Sequence, residues 1–232
     1  MKVDISVIIP VLNEAARINE AVEALFDQVC PGTMEVIVVD GQKDGSTINC
    51  IQNSKVVKII SAPGRGVQMN RGADIASGEI LLFLHCDTLL PENAFHFIQT
   101  MMQNERVKAG AFDLSIDGSA FAYRIIEKTA SLRSRITGIP YGDQAIFIRK
   151  SFFFRLGQYN EIPIMEDVDL MRRIKRAKGG ICFIDKPVKT SPRRWQKEGL
   201  LKCTLRNRLL MIFYVCGISP EKLARFYKHN AA

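Results

Sequence analysis

Val3-Asp4-Ile5-Ser6-Val7-Ile8-Ile9-Pro10-Val11-Leu12-Asn13-Glu14 is the stretch on which the reading of the chain turns. Residues 3–9 form a β-branched run of the kind expected for a strand buried on both faces of a sheet. The run stops at Pro10, and Asn13 is suited to cap a helix extending to about residue 28. Downstream, Val36-Ile37-Val38-Val39 is a second such strand, ending at Asp40 in the glycine-rich turn 41–45. Residues 56–60 make a third. A helix follows Gly64-Arg65-Gly66, and residues 80–84 make a fourth strand that runs into His85-Cys86-Asp87. Strand–helix–strand repetition predicts a parallel sheet with crossover helices. Such sheets bind ligands at the carboxyl ends of their strands. Asn13, Asp40, Arg65 and Asp87 all lie just past strand ends, so they are expected to converge on one crevice.

Beyond Pro91 the alternation loosens. The pattern predicts a helix near 92–103, a strand near 107–114, a basic helix near 119–136, and a loop and strand over 141–149. A helix over 166–178, a strand over 181–184 and a last helix starting near Gln196 follow. At 100° per residue, Asp167 shares a face with the apolar Leu170, Met171 and Ile174, so this carboxylate points inward to core or cleft. Glu166, Asp169 and Arg173 lie on the neighbouring face, where they are suited to surface ion pairs.

The 232 residues are 47% apolar and 24% charged, which excludes a disordered or collagen-like chain. No apolar run reaches the ~20 residues of a membrane span, and no leader-type apolar segment follows the first residues. Six cysteines without a C-x-x-C pair fit reduced thiols, so the expected compartment is the cytoplasm. The net charge of +8 is unevenly spread. Residues 1–95 carry 7 Lys+Arg against 12 Asp+Glu, a net of −5, whereas residues 96–232 carry 25 against 12, a net of +13. The basic half suits nucleic acid, a membrane surface or an anionic substrate. Without a zinc-finger or RNP-type motif, nucleic acid is the weakest of these.

Several ordered motifs carry a resemblance. They are Ser6-Val7-Ile8-Ile9-Pro10-Val11-Leu12-Asn13-Glu14, Asp40-Gly41-Gln42-Lys43-Asp44-Gly45-Ser46-Thr47, Asn70-x-Gly72 with Ala76-Ser77-Gly78-Glu79, Leu82-Phe83-Leu84-His85-Cys86-Asp87, and Glu166-Asp167-Val168-Asp169-Leu170. Over residues 4–190 the chain resembles family 2 glycosyltransferases. The resemblance implies an α/β GT-A fold: a Rossmann-like, mostly parallel sheet with flanking helices and an acceptor-side extension. It implies a nucleotide-diphosphate sugar donor, a Mg²⁺ or Mn²⁺ ion and inversion at the anomeric carbon. It divides the chain into a nucleotide-sugar-binding half (1–95), an acceptor-binding half (96–190) and a C-terminal helical extension (191–232).

On that basis Pro10, Asn13, Glu14, Asp40, Arg65, Asn70, His85 and Arg194 are expected around the donor, with Asp87 on the metal. Asp167, beside Glu166, takes the place of the family's catalytic base. Each has a plainer reading. Asp40 suits a turn residue bonding its own backbone, and Glu14 a carboxylate favouring a helix N-terminus. Arg65 suits a surface turn, although a helix start is also a phosphate site. The family usually has D-x-D where this chain has His85-Cys86-Asp87, so only the carboxylate that touches the metal is kept. Zinc on His85 and Cys86 is disfavoured because neighbouring strand side chains face opposite ways. A dinucleotide fingerprint at Gly64-x-Gly66 fails at Met69. Gly142-Asp143-Gln144 falls on the acceptor side of the resemblance, or is a plain turn. In Arg193-Arg194-Trp195 an arginine can stack on the tryptophan and neutralise a departing diphosphate. A carboxyl buried beside a second carboxylate titrates higher and makes a better base.

The last helix carries a stripe of Leu201, Leu205, Leu209 and Ile212 with Lys197, Lys202 and Arg206 off it. The stripe suits either packing onto the core or peripheral contact with a membrane. The acceptor is open. A nucleotide-sugar-binding or membrane-peripheral module without turnover is the rival from another class.

Overall fold

The computed structural model describes residues 3–227. One eight-stranded sheet, of order β3-β2-β1-β4-β7-β6-β8-β5, organises the chain. Its strands are β1 (Ile5–Val11), β2 (Met34–Asp40), β3 (Val57–Ile60), β4 (Ile80–Phe83), β5 (Thr88–Leu89), β6 (Val107–Ile116), β7 (Phe147–Arg149) and β8 (Gly180–Thr190). The first four run parallel, as the repetition in sequence predicts. β7 enters antiparallel between β4 and β6, and so joins the two halves of the sheet, while β6 and β8 are again parallel.

Both faces are covered, which is why the strands read as unbroken apolar runs. Ile5, Val7, Ile9 and Val11 enter one core with α1 (Ile18–Phe26) and α3 (Ala94–Met102), while Ile8 enters the other with α2 (Arg65–Ile75) and α6 (Glu166–Arg176). Gly72 lets α2 lie close on the sheet, since a Cβ there would come within 2.5 Å of Ile8 Cγ2. The remaining helices are α4 (Phe121–Thr137), α5 (Lys150–Arg155), α7 (Arg193–Glu198), α8 (Leu200–Val215) and α9 (Pro220–Ala224).

Four local expectations are corrected. β1 does not stop at Pro10 but continues to Val11. The Ile8 carbonyl accepts the Leu84 N–H, and two-residue alternation puts Pro10 on the same side, beyond the last β1–β4 pair at Ile8 and Phe83. The missing N–H therefore costs no ladder bond. Asn13 caps no helix: it is left-handed at φ +59°, and α1 begins five residues later. β8 extends to Thr190, well past residue 184, because β6 and then β5 pair with its second half. The last helix is two helices, broken at Gly199, whose φ of +84° is a conformation glycine adopts without strain. All six cysteines are free. Among the described residues, no helix is long and apolar enough to cross a membrane.

Candidate active site

A cavity of about 150 Å³ opens past the carboxyl ends of the central strands. Its walls come from four places. Arg65 opens α2, His85 and Asp87 follow β4, Gly142 and Asp143 lie in a short 3-10 turn (Gly142–Gln144), and Asp167 stands in the first turn of α6. Thr190 and Ser191 at the end of β8 complete the floor, Arg194, Trp195 and Asn207 reach over from α7 and α8, and Tyr227 from the segment after α9.

Among the residues predicted from sequence, Arg65, His85, Asp87, Asp167 and Arg194 are thus brought together. His85 and Asp87 face the cavity while Cys86 between them packs in the core, where burial pushes its thiol up to about 12. The His–Cys pair that zinc would need is therefore not formed. Burial and the nearby Arg65 cation push the His85 imidazole down to about 4, so it is neutral at physiological pH. Asp167 is fixed by backbone donors: Gly142 N–H gives to Oδ2 at 2.6 Å and Val168 N–H to Oδ1 at 2.7 Å.

Glu166 behaves differently from the surface partner that its helical phase predicts. It is buried, and Oε1 lies 2.8 Å from Arg65 Nε. Burial pushes its carboxyl up while Arg65 pulls it down, and in return Glu166 raises the Arg65 pKa. The pair holds Arg65 charged and aimed at the cavity. Asp169 and Arg173 do pair along α6, at 2.8 Å.

Asp40, Asn70, Asn13 and Pro10 do not line the cavity. Asp40 is fully buried, and its oxygens accept backbone N–H groups of Gln42, Thr47 and Ile48, so it shapes its own loop as a turn residue does. The Asn70 amide exchanges two hydrogen bonds with the backbone of Tyr159, tying α2 to the loop before α6. Exposed Asn13 accepts from Gln42 Nε2 at 2.8 Å. Pro10 stays within β1, in register with Val39. Glu14 borders the site through α7: Arg193 Nη2 lies 2.8 Å from Glu14 Oε1 and 3.9 Å from Asp87 Oδ2. The expected arginine–tryptophan stack is absent from the contacts seen here; Arg194 lies over the Tyr227 ring at 5.4 Å, and Trp195 meets Tyr123 edge-on.

Two features outrun the sequence. Burial pushes the Asp143 carboxyl up to about 6, with Asp167 adding to the rise and Arg133 opposing it. The sequence marks Gly142-Asp143-Gln144 as acceptor side or plain turn, without showing the carboxyl's burial; Gln144 beside it is buried and bonds Ser134 and the Phe112 carbonyl. Arg193 as a bridge between Glu14 and Asp87 has no signal beyond the basic run itself.

A divalent cation fits this donor set only together with a ligand. Asp87 and the neutral His85 imidazole supply two groups on one wall, leaving the other positions to phosphate oxygens and water. Among the described residues, no group of three or more His, Cys, Asp or Glu side chains could hold a metal alone.

Comparison with known proteins agrees with this geometry. The family described as "Glycosyl transferase family 2" matches residues 6–162. A PGL/p-HBAD biosynthesis glycosyltransferase of Mycobacterium bovis is 30% identical over 186 residues, covering 67% of this chain and 62% of that protein. An uncharacterised glycosyltransferase of Rickettsia felis is 27% identical over 221 residues, covering 88% of this chain and 36% of that protein. The chain thus spans about a third of the rickettsial relative's length. Among solved structures, S. aureus TarS 1-349 in complex with UDP-GlcNAc superposes with a TM-score of 0.62 at 18% identity, covering 81% of this chain and 58% of that one. Mannosyltransferase PcManGT from Pyrobaculum calidifontis, in complex with GDP-Man and Mn²⁺, gives 0.61 at 18%, covering 82% and 57%. Both are GT-A glycosyltransferases, and at this identity they establish the GT-A fold. Fold, motif order and family match together make this chain a member of glycosyltransferase family 2.

Proposed function

We propose that this glycosyltransferase moves a sugar from a nucleoside-diphosphate donor to a hydroxyl acceptor with inversion. The observation that carries the reading is that one cavity is lined both by cations, Arg65 and Arg194, and by carboxyl groups, Asp87, Asp143 and Asp167. Arg65, kept cationic by Glu166, and Arg194 neutralise the charge that grows on the departing diphosphate. Asp87 and His85 would hold Mg²⁺ or Mn²⁺ there, and such an ion acts as a Lewis acid on the phosphate oxygens. Glu14, tied to the site through Arg193, marks the ribose side, and Asp40 serves the donor indirectly by shaping the 41–47 loop.

Asp167 accepts the acceptor's hydroxyl proton on a carboxylate oxygen. The acceptor oxygen then forms its bond to the anomeric carbon from the face opposite the breaking carbon–phosphate-oxygen bond. One displacement with one base gives inversion. Gly142 N–H fixes the orientation of Asp167, as a base requires. The test is Asp167→Asn, read as donor turnover, with water as acceptor where none is supplied. Turnover is expected to fall by ~10²–10⁴ while nucleotide titrations stay within a few-fold. Turnover that itself stays within a few-fold would place the base elsewhere.

A further inference from the structure

The apolar stripe of α8 does not pack on the core. Leu201 is 83% exposed, and Leu205, Leu209 and Ile212 on the same face are also in solvent, while Cys203 and Leu210 on the opposite face are buried. α4 repeats the arrangement. Phe121, Ile125, Leu132 and Ile136 fall within about 60° of one another on the helix and face outward, opposite the buried Tyr123 and Ser134. Phe121 is 79% exposed and Ile136 75%. α4 meets α7, the helix that leads into α8, through Tyr123 and Trp195, whose rings lie 6.2 Å apart, and Arg133 of α4 is within electrostatic range of Arg208 of α8.

Charge selects the occupant. α8 carries Lys202, Arg206 and Arg208 with no acidic residue, and exposed Lys202 and Arg208 flank its stripe on either side. On α4, Arg124 pairs with Glu127, Arg135 with Asp113, and Arg133 stacks on Tyr141, which leaves exposed Lys128, among the described residues, as the unpaired cation beside the stripe. An apolar stripe edged by long cations is the pattern of a helix lying at a lipid interface, with the apolar side chains among acyl chains and the cations at anionic headgroups. A self-complementary contact would instead bring like charges together. We propose that the outer faces of α4 and α8 form one docking surface for an anionic bilayer. This stands independently of the transfer chemistry, although Asn207 and Leu210 on the inner side of α8 line the cavity and set it beside that surface.

The test is co-sedimentation of the whole chain with phosphatidylcholine vesicles and with vesicles that also contain phosphatidylglycerol. Binding is expected to the anionic vesicles, at least about tenfold weaker to the neutral ones and weakened by salt. Leu201→Glu with Leu205→Glu, and separately Ile125→Glu with Leu132→Glu, should each reduce it about tenfold with unchanged melting, because all four sites are in solvent. Lys202→Glu with Arg208→Glu should do the same without altering the apolar stripe. No sedimentation with either vesicle overturns the proposal, as does equal binding to both. A stable dimer dissociated by the apolar variants would assign the face to a second copy and overturn it too.

Discussion

Asp143→Asn is expected to make the protein more stable at neutral pH. Burial raises the Asp143 carboxyl from 3.8 to about 6, with the opposing pull of Arg133 already included. A rise of roughly two pH units, at about 1.4 kcal/mol each, sets a ceiling near 3 kcal/mol. The side chain lines an open cavity and is only half-buried, so water screening brings the expectation to about 1–2 kcal/mol. The sign follows from proton binding. A group whose folded-state pKa lies above its unfolded value stabilises the fold below the unfolded pKa, and that contribution is lost as pH rises through about 6. At pH 7.5 the native chain therefore carries the full penalty of a buried charge, and asparagine carries none. For a chain of this length the gain corresponds to roughly 2–8 °C in Tm. Thermal unfolding followed by circular dichroism from pH 4 to 8 checks it. The difference should be largest above pH 7 and close to zero near pH 4. A melting point unchanged or lowered at pH 7.5, or raised equally at pH 4, would refute the assignment of Asp143 as a carboxylate destabilised for the sake of the site.

Three further outcomes follow from the same geometry. Glu166→Gln removes the charge facing Arg65 in a buried pair and should lower stability by about 1–3 kcal/mol, measured by urea unfolding, with weaker nucleotide binding by calorimetry. Gly78→Ala sets a Cβ 2.6 Å from the backbone nitrogen of Ser6, which cannot move without disturbing β1. A loss of about 1–3 kcal/mol in the same unfolding assay is expected. Arg193→Ala breaks pairs whose arginine is two-fifths exposed and so partly screened by water, and stability should change by about 1 kcal/mol or less. It also removes a cation from beside Asp87, so the half-saturating Mn²⁺ concentration in calorimetry with UDP present should fall.

The parallel half of the fold is legible in sequence because its strands are buried on both faces and leave long β-branched runs at 5–9 and 36–39. β5 is two residues long and α5 six, too short to show a period, and the second half of β8 contains Asp185, Lys186 and Lys189, which hide a strand. At the site, Asp167 is readable from helical phase alone because a carboxylate heads an apolar face. Phase misleads at Glu166, since it cannot foresee that Arg65 of α2, a hundred residues earlier, draws that side chain into the interior. Position past a strand end predicts well for Arg65 and Asp87 but not for Asp40, whose carboxylate finds three backbone donors in its own loop. The exposed stripe on α4 has the spacing of a core face, and only the packing shows which way it points.

The most direct measurement is calorimetric titration of the chain with UDP, GDP and dTDP, each with Mn²⁺ and with EDTA. Micromolar binding of one nucleotide, lost in EDTA and in Asp87→Ala, is the predicted result. No binding of any of the three in the presence of Mn²⁺ would contradict the assignment of this cavity as the donor site.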